Sequence, residues 1–421
     1  MDKLVIEGGV PLRGEVPVSG SKNAALPALA ACLLTDEPVY LNRIPRVRDI
    51  RTMEKLLGHI GCELTLPPGG PLKVHAKEIK DPSAPYDLVK TMRASSLVLG
   101  PLVARTGRAR VSMPGGCAIG ARPIDLHVSG LERLGATTNQ EHGYIEAVAE
   151  KGLRGTRYFF ERISVTGTED VLMAATLAEG ETVIENAARE PEVVDVAELL
   201  IKMGAQIEGH GTSTIRVQGV EKLHGAEHTI IPDRIEAGTL VVAGAITGGE
   251  LTVTGCVPAH FHALSEKLNQ TGAEVRDVAC DAVTVRGTNH LHATDMTTQE
   301  FPGFATDLQA QYMALMTQAD GISFVTETIF ENRFMHVQEL VRMGANIRIE
   351  GNRAMVAGPK QLTGAQVIAS DLRASASLVL AGLVAKGETV VDRVYHLDRG
   401  YENIEAKLSR VGARVRRINE A

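Results

Sequence analysis

A chain of 421 residues is longer than one hydrophobic core usually serves, so two or more domains are expected. With 44% hydrophobic and 23% charged residues the composition is that of an ordinary globular protein. A net charge of -7, only 4% aromatics and no Trp speak against nonspecific nucleic-acid binding and against base-stacking platforms, so any anion recognised here must meet locally gathered cations. Met1 to Glu7 shows no cationic segment leading into an apolar run, and no apolar stretch approaches the ~18 residues that span a bilayer. The five cysteines (Cys32, Cys62, Cys117, Cys256, Cys280) are scattered without a CxxC. These features predict a cytoplasmic protein with no membrane association and no structural zinc.

In chain order, two short strands, Leu4 to Glu7 and Val16 to Val18, lead into a segment that is apolar almost all round, Ala24 to Leu34. Segments of the same kind recur at Ala94 to Ala104, Val171 to Ala178, Ala237 to Ile246, Leu308 to Met316 and Ala374 to Ala385. A helix without a polar face must be buried on all sides. Alternating with these run amphipathic helices that end in Leu-x-x-apolar-Gly, with the leucines at 57, 131, 200, 268, 340 and 408; only Thr271 breaks the apolar position. Each following glycine (Gly61, Gly135, Gly204, Gly272, Gly344, Gly412) reads as the left-handed residue that closes a helix. A short strand pair comes next, as in Ala205 to Glu208 and Thr214 to Val217.

The period of roughly 70 residues therefore describes one unit, strand, buried helix, strand, amphipathic helix, strand, strand (βαβαββ), repeated six times. This is an α/β architecture of two domains with three units each and the buried helices innermost. The first two strands read as the missing ending of the sixth unit, so the chain starts in the C-terminal domain, crosses near Gly20 and returns near Pro232. The expected boundaries are 22–231 for the N-terminal domain and 1–21 plus 232–421 for the C-terminal one. Two neighbouring crossings predict a hinge, with a ligand enclosed in the interdomain cleft.

Charge gathers where the buried helices begin: Ser19 to Asn23, Thr91 to Ser95, Asp233 to Glu236, Thr306-Asp307 and Ser370 to Arg373. A helix N-terminus disfavours cations, so Lys22, Arg93 and Arg373 suit anion ligands better than caps. A single such arginine would be a solvated ion pair, but recurrence across units points to one shared anionic substrate. Arg122, Arg333 and Arg399 are further candidates. Asp307 is placed either to accept a hydroxyl proton or to act as an ordinary N-cap. The stretch 113–125, with three glycines, two prolines, Cys117 and Arg122, must be a loop. Its thiol is either a small apolar filler or, beside a fixed cation, a nucleophile or proton donor. No P-loop and no G-x-G-x-x-G after a strand is present, and the pairs His260/His262 and His290/His292 lack carboxylate or thiol partners at useful spacing. No cofactor and no metal are expected.

The stretches Ser19 to Ala25, Asp87 to Ser95, Pro114 to Asp125, Asn186 to Glu192, Phe330 to His336 and Asp371 to Ser377 resemble, end to end, the UDP-N-acetylglucosamine 1-carboxyvinyltransferase family. These enolpyruvyl transferases carry out the first committed step of bacterial peptidoglycan synthesis. The resemblance implies a two-domain inside-out α/β barrel, in agreement with the repeat. It also implies transfer of the enolpyruvyl group of phosphoenolpyruvate to the 3-hydroxyl of UDP-N-acetylglucosamine, with loss of phosphate, by addition and elimination. Cys117 matches the proton donor, which also forms a covalent adduct, and Asp307 matches the acceptor of the hydroxyl proton. Lys22, Arg122 and Arg399 match phosphate ligands, with Asn23 beside them, and Arg333 and Arg373 match carboxylate ligands. Arg93, Arg122, Pro123, Ile124, Asp125, Leu126, Arg162, Ile163, Ser164, Val165, Asp307 and Ile329 match sugar-nucleotide contacts. Two departures stand out: Arg162 replaces a frequent Lys, and Thr166-Gly167 displaces a Val-Gly spacing by one residue. The resemblance also implies a monomer acting on small molecules alone. The alternatives are 3-phosphoshikimate 1-carboxyvinyltransferase, which shares the fold but lacks a cysteine in such a loop, and a non-catalytic sugar-nucleotide-binding relative.

Overall fold

The computed structural model describes residues 2–113 and 124–419. The apolar segments form helices Lys22–Ala31, Leu99–Thr106, Val165–Ala175, Arg234–Ile246, Gln309–Met316 and Leu372–Val384. Two of them are entered through short 3-10 turns, Arg93–Val98 and Thr306–Leu308. Nearly every side chain of these helices is buried, and their alanines and glycines let neighbouring elements approach closely. The amphipathic helices are Arg48–Ile60, Asp125–Arg133, Pro191–Lys202, His262–Gln270, His336–Arg342 and Ile404–Arg410. All six repeat glycines have left-handed backbone, with φ from 93° at Gly272 to 119° at Gly61.

The described strands make six four-stranded sheets of one pattern, a parallel pair extended by two antiparallel strands. In the third unit Arg157–Phe159 lies parallel to Glu181–Glu185, which pairs antiparallel with Thr214–Gln218, and that strand pairs antiparallel with Gln206–Glu208. The described residues divide into two compact units, one of 2–19 and 232–419, the other of 20–113 and 124–231. Each has its own apolar core. In each, three buried helices pack on one another and three sheets flank them, which is the inside-out barrel.

The chain leaves one unit between Ser19 and Gly20 and returns between Ile231 and Pro232. Beside the first crossing, Ser21 N–H donates to Ile231 C=O at 2.7 Å, and beside the second, Asp233 N–H donates to Ser19 C=O at 2.9 Å. Gly20 is required here, because a Cβ at this position would lie 1.8 Å from the Arg43 carbonyl oxygen.

One expectation is corrected. Asp2–Glu7 does complete the sixth unit, between Glu388–Asp392 and Arg414–Asn419. The second strand, Arg13–Pro17, does not; it lies parallel to Glu250–Thr254 and opens the sheet of the fourth unit. Reciprocally Glu227–Thr229, which precedes the fourth buried helix, lies parallel to Val39–Asn42 in the sheet of the first. Units one and four have thus exchanged their leading strands. Each crossing falls between such a strand and the helix after it, so the strand completes the ladder available on its own side.

Candidate active site

In the unit 20–231, Lys22 is the first residue of its buried helix, and Ser21 Oγ caps that helix by accepting from Ala24 N–H at 3.3 Å. Lys22 is itself buried, with Nζ 3.3 Å from Oδ2 of the buried Asp49, in the first turn of Arg48–Ile60. The partial positive charge of a helix N-terminus makes an ammonium costly there unless anions surround it. Asn23 follows half-buried, and Arg93, also half-buried, opens its 3-10 turn. Ile124 is buried and leads into Asp125–Arg133; Leu126 C=O accepts from the Tyr158 hydroxyl at 3.1 Å. Asp125 Oδ1 and Arg162 Nη2 are 3.6 Å apart with side chains 59% and 58% exposed, a loose pair of small energetic weight. Ile163 and Val165 pack against the core, and Ser164 caps Val165–Ala175 by accepting from Gly167 N–H at 3.1 Å. The Gly167 N–H is therefore taken by the protein itself. Cys117, Arg122 and Pro123 lie outside the described residues.

In the unit formed by the N-terminal strands and residues 232–419, Asp307 sits in the 3-10 turn Thr306–Leu308. It caps neither that turn nor Gln309–Met316. Its Oδ1 instead accepts from Arg333 Nη2 at 2.6 Å and its Oδ2 from Arg373 Nε at 3.2 Å. Arg333 Nη1 also donates to Thr306 Oγ1 at 2.9 Å, and the Thr306 hydroxyl donates to Glu327 Oε2 at 2.8 Å. The buried Glu327 accepts three further bonds, from Thr298 Oγ1 at 2.9 Å, Ile329 N–H at 2.8 Å and Phe330 N–H at 3.2 Å. Glu327 thereby fixes both the backbone at Ile329 and, through Thr306, the plane of Arg333.

Arg373 is the second residue of Leu372–Val384, whose cap Asp371 accepts from Arg373 N–H at 2.9 Å and Ala374 N–H at 3.0 Å. The Arg373 guanidinium stands 5.2 Å from the Tyr401 ring centroid, and the residue is 2% exposed. Burial works against its charge, but Tyr401, Asp307 and Asp233 outweigh that and raise its pKa. Its Nη1 and Nη2 have no hydrogen-bond partner among the described residues. Buried donors left unmet are expensive, and a planar carboxylate is the acceptor that matches such a fork. Arg399 closes the turn Val394–Arg399, which is anchored by Asp398 accepting from Arg417 Nη2 at 2.7 Å.

The structure thus brings Asp307, Arg333 and Arg373 into direct contact in one unit and sets Lys22 on Asp49 in the other. Sequence reasoning missed Asp49, Glu327 and Tyr401, and named Thr306 only as the neighbour of Asp307. Tyr401 stood two residues from Arg399, but Asp49 and Glu327 carry no spacing signal, because their partners are distant in sequence. No cluster of His, Cys, Asp and Glu suited to a metal occurs among the described residues.

A sequence model of the family described as EPSP synthase (3-phosphoshikimate 1-carboxyvinyltransferase) matches residues 6–408. The UDP-N-acetylglucosamine 1-carboxyvinyltransferase of Solibacter usitatus is 71% identical over 99% of this chain and 100% of its own. Those of Koribacter versatilis and Nitratidesulfovibrio vulgaris are 64% and 61% identical over 100% of this chain and 97% and 100% of their own. Among solved structures, the enolpyruvyl transferase NikO from Streptomyces tendae matches with a TM-score of 0.89 at 26% identity, covering 100% of this chain and 99% of its own. EPSP synthase from Acinetobacter baumannii matches over 100% of both chains with a TM-score of 0.76 at 18% identity, a likeness of fold alone. With identities this high over its whole length, the chain belongs to the UDP-N-acetylglucosamine 1-carboxyvinyltransferases, within the enolpyruvyl transferase family.

Proposed function

We propose that the protein transfers the enolpyruvyl group of phosphoenolpyruvate to the 3-hydroxyl of UDP-N-acetylglucosamine and releases phosphate, the committing step of peptidoglycan synthesis, in the cytoplasm. In the addition, the sugar oxygen bonds to C2 of phosphoenolpyruvate as its proton passes to Asp307, while Cys117 gives a proton to C3. In the elimination, the C2–O bond to phosphate breaks, C3 returns a proton and the double bond re-forms. Arg333 and Arg373 hold the phosphoenolpyruvate carboxylate. Lys22, Arg122 and Arg399 hold its phosphate, with Asn23 alongside. Arg93, residues 122–126, residues 162–165 and Ile329 hold the sugar nucleotide.

The observation that carries this reading is the Asp307–Arg333–Arg373 contact, with two buried Arg373 nitrogens lacking an acceptor. A carboxylate ligand meets those donors and takes up guanidinium charge that Asp307 otherwise shares, leaving Asp307 to act on the incoming hydroxyl. Asp307→Asn keeps the shape and removes the proton acceptor. Turnover is expected to fall by roughly 10²–10⁴ in steady-state phosphate release. A variant retaining half of the unmodified rate would remove Asp307 from the chemistry.

A further inference from the structure

We infer that His127 is a positioning residue for the sugar nucleotide, a role that rests on the reading above and names the device that aligns two of its binding stretches. Residues 124–126 and 162–165 are far apart in sequence, and each leads into a different helix, Asp125–Arg133 and Val165–Ala175. His127 lies in the first turn of one and reaches the first turn of the other. Its Nδ1 is 3.0 Å from Asp170 Oδ2 and its Nε2 is 3.1 Å from Thr166 Oγ1. The His127 and Asp170 side chains are 2% and 0% exposed, so their contact is closed to solvent, while Thr166 at the other end is half-buried.

Asp170 is held in turn. Its Oδ1 accepts from Gly100 N–H at 2.8 Å, which ties the bridge to the buried helix Leu99–Thr106. With Nδ1–H donating to Asp170, the Nε2 lone pair accepts from the Thr166 hydroxyl; fixing one ring nitrogen fixes the use of the other. Ser164 sets the start of its helix by capping Gly167, and that start turns the Thr166 side chain onto His127. The Tyr158 hydroxyl donates to Leu126 C=O at 3.1 Å, so the backbone beside His127 is tethered a second time. Two stretches that must meet one ligand are thus spaced by one imidazole.

The test is initial-rate kinetics of the full-length enzyme, varying each substrate in turn, for Thr166→Val, Thr166→Ser and His127→Asn. Thr166→Val keeps volume and removes the hydroxyl; His127→Asn keeps a donor for Asp170 and loses the reach to Thr166. Both are expected to raise the KM for UDP-N-acetylglucosamine roughly five- to tenfold, the scale of one lost hydrogen bond, with kcat and the phosphoenolpyruvate KM within about twofold of the unmodified enzyme. Thr166→Ser restores the KM. An unchanged sugar-nucleotide KM in folded Thr166→Val, or equal rises for both substrates, overturns the proposal, and this variant decides the matter if His127→Asn fails to fold. Absence of turnover in the unmodified enzyme overturns the functional reading, and the proposal with it.

Discussion

Cys117 competes for an electrophile with four other thiols, and burial decides most of that competition. Burial pushes Cys32 far above the ordinary thiol range, Cys62 up to about 12 and Cys256 up to about 11. A thiolate is the reactive form, so these three are inert near pH 7, while Cys280 is exposed. An epoxide phosphonate such as fosfomycin, which carries the charge of the phosphate that Lys22 and Arg399 are proposed to hold, should label Cys117 alone in peptide mass mapping. Modification of Cys280 at the same rate would show that accessibility governs reactivity, with no activation of Cys117. His336 offers a second residue-scale test. Burial, helped by Arg333 and opposed by Asp371, pushes its imidazole down to about 4. The unfolded chain then binds this proton more tightly than the folded one. The His336 contribution is full above the unfolded value near 6.5 and is lost as pH falls toward 4. Stability through this group therefore falls as pH drops below about 6.5, so His336→Gln should flatten the acid side of the stability curve. Parallel curves for the two proteins would contradict this. Lys22, Asp307, Arg333 and Arg373 were legible in the sequence because charge next to an apolar helix or in a family motif stands out. Asp49, Glu327 and His127 were not, since what marks them is a partner 27, 29 or 43 residues away.

At the scale of elements, the six helix-ending glycines were readable from local chemistry alone, because a positive φ is a demand made on a single residue. The demand on Gly20 comes from tertiary contact and leaves no local signature. The two cases predict different costs. At Gly135, φ is 99° and nothing lies within 4 Å of an added Cβ. Gly135→Ala should therefore cost only the backbone strain of about 1–2 kcal/mol. At Gly20 the added Cβ would sit 1.8 Å from the Arg43 carbonyl oxygen, so backbone must move where the chain crosses between units. Thermal unfolding should show Gly20→Ala as clearly the more damaging of the two. Equal shifts in midpoint would mean that the crossing yields easily.

For the whole molecule, a period of roughly 70 residues and helices with no polar face were enough to read the α/β class, the six units and the burial order. Strand assignment was not readable in the same way. Arg13–Pro17 and Glu227–Thr229 hold the same place in the repeat, and only the position of the crossings decides that they exchange sheets. Fold likewise leaves the acceptor substrate open, since EPSP synthase from Acinetobacter baumannii shares it with a TM-score of 0.76. The full-length identities to the UDP-N-acetylglucosamine 1-carboxyvinyltransferases favour the sugar nucleotide. The most direct test supplies the purified enzyme with phosphoenolpyruvate and either UDP-N-acetylglucosamine or shikimate 3-phosphate and measures phosphate release. Release with the sugar nucleotide and none above background with shikimate 3-phosphate is the predicted result; the reverse pattern would contradict it.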